Sequence, residues 1–128
     1  MSTFSIDLAK FAQKAEKEMK TAIQKITMEA FKGVIEKTPV DTGRARANWG
    51  ASVGLPSPVK HDVAYVDPSG SAAIGAAAAK VFDWNCIGSI YLCNNVEYIS
   101  ELEYGSSKQA PQGMVRVTLA EISAHYGR

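Results

Sequence analysis

The chain has 128 residues, 46% of them hydrophobic, with 14 Lys/Arg against 13 Asp/Glu and a mean hydropathy of −0.10, totals that suit one domain over residues 1–128 with a real core. No run approaches the ~20 apolar residues of a membrane span, and Met1-Ser2-Thr3-Phe4-Ser5 lacks the basic-then-apolar order of a signal peptide, so the product is expected to stay where it is made, in the cytoplasm, with no membrane partner. The balanced charge hides an asymmetry: residues 1–60 hold ten Lys/Arg against six Asp/Glu, and residues 61–128 hold four against seven. Copies of the chain could meet front to back on that difference, although an uneven solvated surface would look the same.

From Ser5 to Lys37, apolar residues recur at Leu8, Ala12, Ala15, Met19, Ala22, Ile26, Ala30 and Val34, the three-and-four spacing of one helical stripe. Lysines 10, 14, 17, 20 and 25 mix with Glu16, Glu18 and Glu29 on the other faces. At 1.5 Å per residue the helix would run about 45 to 50 Å, longer than the body of a small domain. Either neighbouring copies cover the surplus stripe, or the helix bends at Gly33 and packs within its own subunit.

Thr38-Pro39-Val40-Asp41-Thr42-Gly43 stops that helix, because proline disfavours helical geometry at Thr38 and lacks the amide to continue it. Asp41 or Thr42 can cap a short new turn, and Arg44-Ala45-Arg46-Ala47-Asn48-Trp49 then sets two guanidinium groups beside an indole. Segments near 45–66 and 87–94 are read as a small, mostly antiparallel sheet, with Val59–Val66 a weak strand. Ser71 to about Phe82 forms an alanine-rich helix, with Ala72, Ala76 and Ala79 small enough for close approach and Ile74, Val81, Phe82 and Trp84 supplying bulk. Ile87–Asn94 is a strand with Ile90 and Leu92 on one side and Tyr91 and Cys93 on the other. Tyr98, Ile99 and Leu102 fit a short helix closing at Gly105, which leaves Glu97, Glu101 and Glu103 as an acidic cluster that invites a basic partner such as Arg44 or Arg46, within or between subunits. Pro111 opens a last helix, because Val115, Leu119, Ile122 and Tyr126 keep helical spacing. The fold class is therefore α+β: a long helix over 1–37, and a body over 38–128 in which a C-terminal helix and an alanine-rich helix accompany the sheet.

Chemistry is harder to place. Cys86 and Cys93 form no CxxC pair, and His61 and His125 lie far from them, so no metal set is expected. Gly70-Ser71-Ala72-Ala73-Ile74-Gly75 lacks the Lys-Ser/Thr of a phosphate-binding loop. No nucleophile and base, carboxylate pair or cofactor-binding motif is recognisable, and the expectation is a protein without catalytic residues or cofactor. The basic first half could touch DNA phosphates, but glutamates interleave with its lysines and no aromatic-basic reading surface accompanies them.

Two segments are familiar as a pair: Thr38-Pro39-Val40-Asp41-Thr42-Gly43-Arg44 followed by Trp49, and Tyr98-Ile99-Ser100-Glu101-Leu102-Glu103-Tyr104-Gly105 running into Gln109-Ala110-Pro111-Gln112-Gly113-Met114. With the long first helix before them, they resemble the neck or tail-completion proteins of long-tailed phages, most closely the group that includes the minor tail protein Z of lambda-type phages. The likeness runs from about Leu8 to about Tyr126. Arg46 departs from it, standing where the wider family often has a bulky apolar residue. The resemblance implies a structural virion protein at the head-tail junction, a ring of copies, six by analogy, around the path of the genomic DNA. It would complete the tail and permit head joining, between tail terminator or tail tube proteins below and head-closure or connector proteins above. A tail terminator or head-closure ring of the same junction, or a small DNA-associated protein, are the alternatives. Charge and motif position make Arg44, Arg46 and Trp49 one side of an inter-subunit contact and Glu101, Glu103 and Tyr104 the other. Pro39, Asp41, Gly43, Gly105, Pro111, Gly113 and Met114 are expected to set backbone shape.

Overall fold

The apolar stripe and the unbroken run of helix formers close as one helix, α1 (Thr3–Lys37), 35 residues long and therefore about 52 Å. The structure is a computed structural model and describes residues 3–127, with side chains from residue 8. After α1 come α2 (Arg44–Ala47), β1 (Gly50–Val53), α3 (Ser71–Asp83), β2 (Ile90–Cys93), α4 (Ile99–Glu103) and α5 (Val115–Tyr126). The chain is mixed helix and sheet as expected, and its sheet is a single antiparallel pair in which Gly50 faces Cys93, Ala51 faces Leu92, Ser52 faces Tyr91 and Val53 faces Ile90.

The core gathers at the C-terminal half of α1, where α3 packs on one side and α5 on another while β1 lies against α3. Val34, Ile35, Trp49, Ala73, Ala77, Ala110 and Met114 form its buried centre, with Met28, Phe31, Leu92, Leu102 and Val115 packed around it. α1 runs unbroken through Gly33, whose missing side chain lets α5 come close: a Cβ there would lie 2.9 Å from Thr118 Cγ2. From Leu8 to Met19 α1 is bare. Leu8, Phe11 and Met19 are 56%, 64% and 64% exposed, and every residue from Leu8 to Met19 is open to solvent.

Several local expectations change. Residues 44–47 are a helical turn, not strand, because Gly43 at φ 96° redirects the chain and Ala45 and Ala47, both buried, fill the space beneath. Val59–Val66 is irregular, since side-chain amides hold its backbone where a ladder would: Asn95 Nδ2 donates to the carbonyls of Ser57 and Val59, and His61 N donates to Asn48 Oδ1. In α3 the buried small residues are Ala73 and Ala77, with Val81. Ala72, Ala76 and Ala79 face solvent, and Phe82 is exposed rather than packed. The α3 amides of Ala72 and Ala73 are capped by Asp67 Oδ2 at 2.9 and 3.2 Å, from outside the helix. Pro111 lies four residues before α5 instead of opening it; the start is fixed by Glu103.

Candidate assembly surface

The two motifs that stand out in the sequence meet in space. The Gln109 side chain pairs with the Val40 backbone in both directions, accepting from its amide at 2.9 Å and donating to its carbonyl at 3.0 Å. Pro39, buried, ends α1 and delivers the chain to this contact. Gly43 at φ 96° then lies flush on the next loop, since a Cβ there would come 2.5 Å from the nitrogen of Pro68. Asp41 is exposed at the tip of the turn. Thr42 supplies the local hydrogen bond, its Oγ1 accepting from the Arg44 amide at 3.3 Å.

The residues expected on one side of a contact take different places. The Arg46 guanidinium lies against the end of α1 and donates to the carbonyls of Thr38 (3.2 and 2.7 Å), Glu36 (2.9 Å) and Pro68 (2.8 Å). A cation bonded to the last carbonyls of a helix also opposes the negative end of its dipole. Trp49 is buried, and its Nε1 donates at 2.7 Å to Thr38 Oγ1, which itself donates to the Val34 carbonyl. Arg44 is engaged within the chain too: its guanidinium takes Glu97 bidentately, at 2.8 and 3.4 Å, and lies 5.9 Å from the centre of the Tyr98 ring. Lys60 joins Glu97 at 3.4 Å. Hydrogen bonding from Arg44 first, then to backbone, holds the Glu97 carboxyl down at about 2 and raises the Arg44 guanidinium in turn.

On the acidic side, Glu103 is also turned inward. Its carboxylate accepts from the amides of Met114 (2.9 Å), Val115 (2.8 Å) and Arg116 (3.0 Å) and from Arg116 Nε (3.1 Å). Three amides at the start of α5 thus find one acceptor, a cap supplied from across the loop. Gly113 at φ 91° makes it possible, because a Cβ there would collide with the carbonyl oxygen of Glu103. Met114, fully buried, then anchors the helix start in the core. Glu101 and Tyr104 remain outside. Tyr104 is 76% exposed, with the Arg116 guanidinium 5.0 Å from its ring centre.

Burial opposes ionisation of Glu103, but the Val115, Arg116 and Met114 amides and the Arg116 side chain outweigh it, so its carboxyl sits below the usual range. A depressed carboxyl contributes stability that is complete above its unfolded value and disappears as pH falls through the folded one. Glu103→Gln is expected to lose about 1 to 2 kcal/mol at neutral pH, the scale of a helix cap. Denaturant melts from pH 7 to pH 3 should show the variant losing less on acidification than the parent. An equal loss in both proteins would show that the carboxylate is not the cap.

Among the described residues no cluster of three His, Cys, Asp or Glu side chains could hold a metal ion, and no helix is long and apolar enough to cross a membrane. Sequence reading missed Gln109 as a bridge, Thr38 as the hub between Trp49 and α1, and Asp67 as the α3 cap. Only Asp67 carried a signal, an acid just before a helix start.

No curated protein and no solved structure matches the chain. The sequence model of the HK97-gp10-like family, described as "Bacteriophage HK97-gp10, putative tail-component", matches residues 3–105, a span that includes the bare and covered halves of α1, the Thr38–Arg44 turn, the sheet and α4. The chain belongs to the HK97-gp10-like family of bacteriophage tail components.

Proposed function

We propose that the protein is a structural, non-enzymatic subunit of the virion, working as a single domain in a ring of copies at the top of a long phage tail. There it completes the tail and permits head joining, in the manner of the minor tail protein Z group. The observation that carries this reading is the bare Leu8–Met19 stretch of α1: a helix with Leu8, Phe11 and Met19 more than half exposed has apolar surface that its own chain leaves open, and an exposed apolar patch marks an interaction surface. The basic first half and acidic second half favour front-to-back contacts, which close into a ring when the rotation permits. Six copies, with tail terminator or tube proteins below, head-closure proteins above and DNA through the lumen, complete the proposal. Glu101 and Tyr104, exposed at α4 and just after it, are the members of the sequence-derived contact set free to meet a neighbour, with Arg44 supporting them through Glu97.

Light scattering over a concentration series, alone and with isolated tails, tests it. A closed oligomer, or a monomer that becomes a ring on tails, supports the reading. A monomer that ignores tails and instead shifts generic DNA in a steeply salt-dependent way would replace it with a DNA-associated role.

A further inference from the structure

The first turns of α1 carry a second face, across the helix from the apolar stripe. At about 3.6 residues per turn, Lys10, Lys14, Lys17, Lys20 and Lys25 fall within one sector of about 140°, and the only other residues of positions 8–25 inside it are Gln13, Thr21 and Gln24. Glu16 and Glu18 alternate with the lysines in sequence, yet the helix sends them to the flanks, about 100° to either side of Lys17. Leu8, Ala15 and Met19 lie on the far side, and Asp7 stands at the edge of the sector before its first lysine. The face is exposed at Lys10, Lys14, Lys17, Thr21 and Lys25. The body of the chain reaches it at Gln24, whose Nε2 donates to the Trp84 carbonyl at 2.7 Å.

The charge on this face is not neutralised within the chain. Among the described residues, Lys14 alone of the five has an acid in reach, Glu18 at 4.0 Å on open surface, a pair that contributes little. Lys10 and Lys14, Lys14 and Lys17, and Lys17 and Lys20 are neighbours three or four apart, the spacing at which like charges on a helix repel. A row of negative charge outside the chain relieves that repulsion, and the face says which kind. It is about 22 Å long, sets amides and a hydroxyl between the ammonium groups, and has no apolar or aromatic member to stack on a base or enter a protein pocket, so its donors suit a phosphate backbone. A lipid surface fits poorly, because a helix lying on a bilayer buries its apolar stripe, which here would turn the lysine sector away from the headgroups. We infer that the Lys10–Lys25 face of α1 binds the phosphate backbone of double-stranded DNA without regard to sequence. Its place in the particle rests on the ring reading above: the lysine face of α1 turns to the lumen, and the apolar stripe is left for neighbouring copies.

The test is the anisotropy of a labelled random-sequence DNA duplex, titrated with the full chain over a series of salt concentrations. Lys10→Gln, Lys14→Gln and Lys17→Gln together remove three charges from the face and keep helix propensity. Lys32→Gln, Lys80→Gln and Lys108→Gln together remove the same charge from exposed positions elsewhere. Because each phosphate contact adds about 0.9 to the slope of log affinity against log salt, the first triple variant is expected to lose about 3 from that slope and to bind on the order of 100-fold more weakly at about 0.1 M salt. The second should keep the slope of the parent. A parent that does not bind the duplex at low salt, or two triple variants that weaken alike, would overturn the assignment. So would poly-glutamate competing as well as unlabelled duplex, which would make the face one for acidic protein. Light scattering on the same samples separates this inference from the ring: a chain that assembles on tails but does not bind duplex overturns the lysine face alone, and a chain that binds duplex through these three lysines yet stays monomeric on tails keeps the face and overturns the ring.

Discussion

A Gly105→Val chain will lose most of its stability before any effect on assembly can be read. Gly105 sits at φ 93°, and a Cβ there would lie 2.5 Å from the carbonyl oxygen of Pro111. Valine adds two penalties: a left-handed backbone that β-branched residues rarely adopt, and a collision with backbone that has no rotamer by which to yield. The displaced segment is the one that carries Gly113 and Met114 to the start of α5, so the Glu103 cap and a fully buried core side chain move with it. The expected loss is about 3 to 5 kcal/mol, a large share of the 5 to 15 kcal/mol typical of a domain. Denaturant melting and soluble yield would measure it. Gly75→Ala, a helical position with nothing within 4 Å, is the matched control and should melt at or slightly above the parent. A soluble Gly105→Val chain that melts like the parent and fails only in assembly would move Gly105 from backbone shape to contact.

What could be read in the sequence follows the range of the interaction that decides it. The α1 stripe, its stop at Pro39, the alanine-rich α3, β2 and the Gly105 end of α4 rest on spacing or on the conformational limits of one residue, and all were legible. The start of α5 was not, because its cap comes from Glu103, twelve positions before Val115, and a proline nearby offered a local substitute. Val59–Val66 has strand-like side chains but no partner strand, and Asn48 and Asn95, distant in sequence, take up its backbone groups. In α3 a run of alanines gives no contrast between faces, so the packed pair, Ala73 and Ala77, could not be told from Ala72 and Ala76. The proposed contact residues divide in the same way: opposite charge suggested Arg44 and the acids of 97–103, and the structure joins Arg44 to Glu97, while the acceptors of Arg46 are backbone carbonyls, which charge patterns do not register.

That last distinction sets the second large effect. Arg46→Ala should destabilise the chain by about 2 to 4 kcal/mol, because it strips a charged donor from the carbonyls of Glu36, Thr38 and Pro68 at once; a hydrogen bond to a charged group is worth about 1.5 to 3 kcal/mol, and water can take over at the exposed Glu36 and Pro68 carbonyls. Thr38 is fully buried, so no water readily replaces the guanidinium at its carbonyl, and the same residue holds the Trp49 indole. Lysine offers one ammonium where arginine spreads donors over a planar fork, so Arg46→Lys is expected to recover less than half of the loss. The readout separates latch from contact: a latch lowers the melting temperature of dilute monomer by the same amount at every protein concentration, whereas a contact residue lowers it only where copies associate. If Arg46→Ala melted like the parent when dilute and differed only in assembled mass, the guanidinium would belong to the interface between copies, and the carbonyl bonds at the end of α1 would contribute little to the fold.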